Sequence, residues 1–133
     1  MIGLIVDPIK NEMFYAEKNN GSFINNSRIR ASNKSNVEEC LFASNSNGIK
    51  SIHPKLNLRS SGCAALDLAY VGCGRLDGFF HNKINLWDIA AGKIIVEEAG
   101  GKINEIQNFK SKIDIRAANP NIYEKMLNKL DNF

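Results

Sequence analysis

The sequence predicts a mixed α/β (α+β) fold preceded by a small β-meander. At the start of the chain, short apolar runs are broken by turn residues, as in antiparallel strands. From Leu56 onward, strand-like runs alternate with segments whose apolar residues recur at helical spacing. A chain of 133 residues can bury one modest core. We therefore expect a compact unit with one internal boundary.

Three strands are predicted in the meander, over Ile2–Val6, Met13–Glu17 and Ser22–Ile24. The turn signal Asn19-Asn20-Gly21 precedes the third strand. The polar stretch 26–39 is predicted to be a loop, and it divides a meander of residues 1–36 from an α/β domain of residues 37–133. Because a few short strands leave an unpaired edge and an apolar face, we expect something outside the chain to cover them.

The α/β part is predicted to alternate strands and helices. The strand candidates are Cys40–Ala43, Leu56–Ser60, Leu76–Phe80, Lys102–Glu105 and Ile113–Ala117. Three helices are predicted, over residues 62–72, over residues 87–99 and from Pro120 onward. The first is expected to end at Gly72-Cys73-Gly74 and the second at Gly100-Gly101.

Composition narrows the class of protein. The net charge is only +3 and the basic residues are scattered, which argues against direct nucleic-acid binding. Cys40, Cys63 and Cys73 form no C-x-x-C pair and no even set, so reduced thiols and a cytoplasmic location are expected. The apolar start, Met1–Val6, stops at Asp7-Pro8, too early for a signal peptide or a membrane span.

Two residues at the start of the second predicted helix could carry chemistry. Asp88 could cap that helix, which its position alone favours, or it could bind a metal ion. One carboxylate does not make a Mg²⁺ site, because this cation takes several oxygen ligands. Trp87 could shield a ligand pocket or anchor the core.

The segment Ser60–Ala64 joins a predicted strand to a predicted helix. Its small residues could let backbone N–H groups approach a phosphate, or they could merely begin a packed helix. Cys63 at this helix start could be a nucleophile, although a small packed residue is the simpler interpretation. His81 has no second histidine at metal-pair spacing, so a surface or hydrogen-bonded histidine is expected.

Four motifs together resemble the C-terminal signature of inositol monophosphatases, nearest to the bacterial extragenic-suppressor (SuhB-like) branch. They are Gly-Cys-Ala-Ala-Leu-Asp-Leu-Ala-Tyr-Val from Gly62, Gly-Arg-Leu-Asp-Gly-Phe-Phe from Gly74, Leu-Trp-Asp-Ile-Ala-Ala-Gly from Leu86, and Glu-Ala-Gly-Gly from Glu98. The opening Gly-Leu-Ile-Val-Asp-Pro from Gly3 also resembles the segment that precedes this domain in the family. The resemblance covers nearly the whole chain.

The resemblance implies the C-terminal domain of the inositol monophosphatase and sugar phosphatase fold, with the meander as a remainder of the N-terminal domain. It also implies a Mg²⁺-dependent phosphomonoester hydrolase that acts on inositol monophosphate or a similar sugar phosphate. By resemblance, Asp88 is a metal ligand. Gly62, Cys63 and Ala64, with the position of His81, contact substrate.

The chain departs from the family pattern in three ways. Cys63 replaces the usual Ser or Thr, and His81 replaces a Glu that accepts hydrogen bonds from sugar hydroxyls. The family's upstream Glu ligand and its Asp-Pro-x-Asp-Gly-Thr motif do not occur in the sequence. A lone Asp88 cannot hold a catalytic metal cluster, so the isolated chain is expected to be inactive.

Three hypotheses follow from these departures. The chain could act with a separate N-terminal half, or associate with copies of itself through exposed strands. It could be a non-catalytic binding module, since SuhB-like relatives also act in transcription-linked complexes. It could also be a remnant without function.

Overall fold

The computed structural model describes residues 1–44, 56–59, 61–107 and 112–130. In these parts the chain forms four layers in the order sheet, helix pair, sheet, helix. The predicted mixed α/β fold is confirmed.

The first layer is an antiparallel meander with strands in chain order. Its strands are β1 (Ile2–Asp7), β2 (Glu12–Glu17), β3 (Gly21–Ile24) and β4 (Ser27–Arg28). The polar stretch predicted to be a loop contains β4 and a 3₁₀ turn at Val37–Glu39. The sequence pattern missed β4 because two polar residues show no alternation of apolar and polar positions.

The third layer is a mixed sheet of five strands in the order β6-β5-β7-β9-β8. Its strands are β5 (Phe42–Ala43), β6 (Leu58–Arg59), β7 (Gly78–Asn85), β8 (Lys102–Gln107) and β9 (Lys112–Ala118). Strand β5 runs parallel to β6 and β7, whereas β9 is antiparallel to β7 and β8. Strand β7 was expected to end at Phe80 and continues through polar residues to Asn85. The predicted strand end at Ser60 lies outside the described residues.

The helices are α1 (Ala64–Cys73), α2 (Ala90–Glu98) and α3 (Tyr123–Lys129). Each begins two or three residues later than predicted. Gly62 has a φ of 81°, which a right-handed helix does not accept. Residues Leu86–Asp88 form a 3₁₀ turn before α2, and Pro120 lies in the turn before α3. Of the helices described, none is both long enough and apolar enough to span a bilayer.

The helix pair α1 and α2 lies between the two sheets and is apolar on both sides. Its residues Ala69, Ile94 and Ile95 pack on the meander, and Leu68, Val71 and Val96 pack on the mixed sheet. A third cluster joins α3 to the far face of the mixed sheet through Phe42, Phe80, Ile122 and Met126.

The meander approaches α2 very closely. A Cβ placed on Gly3 would stand 2.3 Å from a side-chain carbon of Ile94, so only glycine fits there. The Ser22 hydroxyl donates to the Ile95 carbonyl over 2.6 Å, which satisfies a buried polar group. The meander was expected to need a cover from outside the chain; its inner face is instead covered by the chain's own helices, and its other face stays exposed.

Buried Asp77 ties the segment after the meander to the mixed sheet. Its carboxylate accepts hydrogen bonds from the Ser32 hydroxyl at 2.5 Å, the Lys34 ammonium at 3.1 Å and the Leu41 N–H at 2.7 Å. This network spans the predicted boundary at Asn36 and holds the connecting segment against the domain. The division into residues 1–36 and 37–133 stays a prediction.

The substitution Gly92→Ala is expected to destabilise the fold. A Cβ at this position would stand 2.6 Å from the Leu68 Cβ, so α1 and α2 would be forced apart. Overpacking of this kind costs about 1–3 kcal/mol of unfolding free energy, although Ala favours a helix over Gly by about 1 kcal/mol. Urea unfolding followed by circular dichroism measures the change. A net gain in stability would show that the two helices do not meet as described.

Candidate active site

A cleft of about 700 Å³ opens where the start of α1, the turn before α2 and the end of β7 meet. All five residues that the family resemblance assigns to metal or substrate line it: Gly62, Cys63, Ala64, His81 and Asp88. The structure thus brings together residues that are up to 26 positions apart in the chain. The remaining lining residues are Ala65, Lys83, Ile84, Asn85, Trp87 and Lys112.

Asp88 is exposed at the edge of this cleft and does not cap the helix that follows. The N-cap of α2 is Ile89, which makes no side-chain cap bond. The turn that contains Asp88 is itself not capped by a side chain. The interpretation of Asp88 as a helix cap is therefore wrong. Asp88 instead lines the cleft, where its exposed carboxylate is open to solvent.

Trp87 is 85% exposed and lines the same cleft. The interpretation of this residue as a core anchor is wrong, because Ile89 fills the core position instead and is fully buried. The 3₁₀ turn rotates the chain so that Trp87 faces outward. Its indole ring is available to shield a bound molecule from water.

The turn before α1 is held by the hydroxyl group of Ser61. The Cys63 N–H donates to the Ser61 Oγ at 3.1 Å, and that hydroxyl is 3.1 Å from the Cys63 carbonyl oxygen. The Cys63 N–H is therefore already used within the turn. The Cys63 thiol is exposed and does not cap α1.

A buried carboxylate, that of Asp67, lies in the first turn of α1, directly after this segment. Asp67 is 1% exposed, and burial raises the pKa of its carboxyl group, a shift that nearby Ser61 opposes. Its Oδ2 atom is buried without a hydrogen-bond partner among the described residues. Sequence reasoning missed Asp67, although a lone acidic residue inside the apolar run from Ala64 to Val71 was the available signal.

His81 is half-buried on β7 and stacks on Phe79, with ring centroids 6.3 Å apart and planes at 14°. Burial, and to a smaller extent the positive charge of Arg116, lowers the pKa of His81, and Asp114 opposes this shift. The imidazole is therefore neutral at pH 7. A neutral imidazole carries one hydrogen-bond donor and one acceptor, whereas an ionised carboxylate only accepts.

Two lysines that the sequence reasoning did not single out also line the cleft. Lys83 has a φ of 60° at a break in the register of β7 with β9, and its N–H donates to Asp114 at 3.0 Å. The Lys112 ammonium donates to the Asn85 side-chain oxygen at 2.8 Å. Nothing in the sequence pattern marked these residues, because lysines at strand ends are usually solvated.

The cleft alone does not meet the requirements of a Mg²⁺ site. Within the described ranges, no group of three or more His, Cys, Asp or Glu side chains could hold a metal ion. Asp88 is the single carboxylate among the residues that line the cleft. A hard cation would need further oxygen ligands from elsewhere.

Comparisons with known proteins agree on one family. A sequence model of the inositol monophosphatase family matches residues 1–132. The chain is 36% identical to a Nus factor SuhB of Pasteurella multocida over 97% of its length, and 42% identical to a fructose-1,6-bisphosphatase/inositol-1-monophosphatase of Thermotoga maritima over 78%. It also resembles the crystal structure of the extragenic suppressor protein suhB from Bartonella henselae, with 37% identity over 99% of the chain and a TM-score of 0.89.

The chain spans about half the length of the curated relatives it matches. It covers 54% of the Pasteurella protein and 43% of the Thermotoga protein. In the Bartonella structure it covers 59% of the solved chain. The fold predicted from the family resemblance is confirmed for this portion.

The lowered pKa of His81 predicts a pH dependence of stability. The unfolded chain binds a proton at His81 near pH 6.5, and the folded chain binds it only at lower pH. Stability is therefore retained above pH 6.5 and falls as the pH drops from 6.5 toward the pKa of the folded state. Urea unfolding at several pH values should show this slope, and His81→Gln should flatten it. An NMR titration midpoint for His81 at or above 6.5 contradicts the prediction.

Proposed function

This chain belongs to the inositol monophosphatase family, and from that premise we propose that it supplies the C-terminal side of a Mg²⁺-dependent phosphomonoesterase. The substrate is inositol monophosphate or a similar sugar phosphate. One observation carries the proposal: the five residues that match the family's metal and substrate positions line a single cleft.

In this proposal Asp88 is one ligand of a metal site that the rest of the protein completes. When bound, Mg²⁺ would neutralise the charge of the phosphate and lower the pKa of the attacking water. The turn at Gly62, Cys63 and Ala64 borders the sugar. His81 contacts hydroxyl groups through a neutral imidazole, since burial and Arg116 lower its pKa.

The 133 residues by themselves are proposed to be inactive. The support is the single carboxylate of the cleft, together with an apolar surface that a complete protein would cover. We call this surface the outer face: it is the side of the meander opposite to α1 and α2, formed by Ile2, Leu4, Val6, Met13, Tyr15 and Phe23. Leu4 is 52% exposed and Val6 54% exposed on a strand that pairs on one side only among the described strands.

The occupant proposed for the outer face is the N-terminal portion of the family fold. The relatives carry roughly as much chain again as the part that matches here. A segment with an apolar helix face would bury these side chains, at about 25 cal/mol per Å² of apolar surface removed from water. The same segment would bring the missing metal ligands to Asp88.

A chimera tests the proposed activity. The part of the Thermotoga maritima relative that precedes its match is fused to this chain, and the purified product is assayed with inositol 1-phosphate and Mg²⁺. The chimera should hydrolyse the substrate, while the 133-residue chain should not. In the chimera, Asp88→Asn should lower kcat/KM by about 100-fold or more, because a metal ligand is lost.

Glu124→Gln is the matched control for this experiment. Glu124 is an exposed carboxylate on α3, outside the cleft, so the same chemical change there should leave activity unchanged. Activity that persists in the Asp88→Asn chimera would remove Asp88 from the metal site. Mg²⁺-dependent hydrolysis by the isolated chain would contradict the proposed inactivity.

A second candidate function is a non-catalytic binding module. Several curated relatives are called Nus factor SuhB, which favours a contact with the transcription machinery. Cys63 and His81 depart from the residues that the family uses to contact substrate. A protein that no longer catalyses the reaction would not need to keep those residues. In this alternative, the partner or a second copy of the chain covers the outer face.

Substitution on the outer face tests this alternative. The isolated chain should capture a component of a purified transcription complex, and Leu4→Asp should weaken capture by about tenfold or more, because it buries an unpaired charge. Ile9→Asp is the control, since Ile9 is 94% exposed in the β1–β2 turn and lies off the outer face. A monodisperse monomer that captures nothing would exclude the binding module.

A further inference from the structure

Strand β1 is an edge of the meander, because among the strands that the structure describes it pairs with β2 alone. The register with β2 is unbroken over six residue pairs, so no bulge twists this edge away. From Ile2 to Val6 the strand has no charged residue and no proline. Such an edge lacks the features by which proteins usually prevent strand pairing between molecules.

The other sheet edges in the described parts of the chain carry charge. Strand β4, at the far side of the meander, has two residues and ends at the exposed Arg28. In the mixed sheet, β6 also has two residues and contains Arg59, and β8 contains Lys102 and Glu105. Short length and charge both discourage pairing. Of the described edges, β1 is therefore the one most open to another strand.

The hydrogen bonds between β1 and β2 determine which backbone groups of β1 point to its free side. The Lys18 N–H donates to the Met1 carbonyl oxygen over 3.1 Å, and this pair continues the register of the two strands. Because hydrogen-bonded pairs alternate along antiparallel strands, the odd-numbered residues of β1 bond to β2. The N–H and C=O groups of Ile2, Leu4 and Val6 therefore point to the free side. We call these three residues the open edge.

The side chains of the open edge lie on the outer face, and each is more than half exposed. Leu4 is opposite Tyr15 on β2, and Tyr15 is opposite Phe23 on β3. Leu4, Tyr15 and Phe23 thus form one row across the outer face, and this row ends at the open edge. A strand that pairs with β1 would extend the row.

We propose that the open edge is an interface at which β1 pairs antiparallel with β1 of a second copy of the chain. A two-fold axis at Leu4 places Leu4 opposite Leu4 of the second copy, and Ile2 opposite Val6. All residues of the open edge then lie in hydrogen-bonded pairs, and each pair exchanges two bonds. Asp7, the one charged residue of β1, is opposite Met1, so no like charges meet.

The self-complementary register is the reason for choosing a second copy. A two-fold interface uses the same surface on both molecules, so compatible groups must stand opposite each other. The axis at Leu4 joins the rows of the two outer faces into one. A register shifted by one residue would place Leu4 opposite a residue whose N–H bonds to β2, and a shift by two would leave part of the open edge unpaired. The inference goes beyond the proposed function, because it requires neither a catalytic cleft nor the N-terminal portion.

Sedimentation velocity of the purified chain tests the interface. Contact along one strand is smaller than the standard interface of about 1,600 Å², so a dissociation constant of about 10–100 μM is expected. Leu4→Pro should raise this constant about tenfold or more, because it removes an N–H of the open edge from each copy and keeps an apolar side chain. Phe23→Ala is the control, since it trims the outer face two strands away from the open edge and should leave the constant unchanged.

Disulfide trapping tests the register and needs no proline. The exposed Cys63 is first replaced by serine. In that background Leu4→Cys should give a cross-linked dimer with diamide, because opposite Cα atoms lie about 5.5 Å apart, within reach of a disulfide. Ile2→Cys is the matched control: in the paired strands its two copies are four residues apart, about 13 Å, and should not cross-link. A mixture of the Ile2→Cys and Val6→Cys chains should cross-link.

A chain that stays monomeric throughout the tested concentrations would overturn the interface, and so would equal cross-linking of the Leu4→Cys and Ile2→Cys chains. A dimer that is weakened by Phe23→Ala and not by Leu4→Pro would also overturn it, because the copies would then meet through the outer face. Circular dichroism checks that Leu4→Pro is folded. If it is not, the cross-linking pattern decides between the outcomes.

Discussion

The close packing of α1 against α2 is the contact on which the rest of the molecule depends. Gly92 lets the helices meet over the side chain of Leu68, at a distance where no Cβ fits. Because both sheets pack on this helix pair, the spacing of the helices sets the spacing of the sheets. The cleft lies at the start of both helices, so the same contact also sets the distance between the turn at Gly62 and Asp88.

The cleft draws its chemistry from three elements that are distant in the chain. The turn before α1 contributes a loop held by the Ser61 hydroxyl, and β7 contributes a neutral imidazole and a lysine with a positive φ angle. The 3₁₀ turn before α2 contributes a carboxylate and an indole ring. Each is positioned by local geometry that a regular helix or strand would not provide. Gly62 and Lys83 have positive φ angles, and Asp88 faces the cleft because the α-helix begins only at Ala90.

The sequence predicted the class of fold, the meander and the order of helices and strands, because apolar periodicity reports directly on burial. The family motifs also identified five residues that share one cleft. The sequence could not predict the features that depend on tertiary packing. β4 has too few residues for a pattern, and β7 continues through His81 and Lys83 because β9 pairs with it. Trp87 is exposed because it lies within a 3₁₀ turn that precedes the α-helix. Coverage of the meander by α1 and α2 was missed for the same reason.

The outer face has a consequence for how the chain would behave in a cell. Its exposed leucine, valine and isoleucine side chains form an apolar surface of the type that chaperones bind and that promotes aggregation of newly made chains. A chain in this state is continuously sorted between refolding and degradation. The steady-state amount of the chain would therefore follow the supply of a partner that buries the outer face. Degradation of chains without that partner would keep the two in fixed proportion, with no separate control of synthesis.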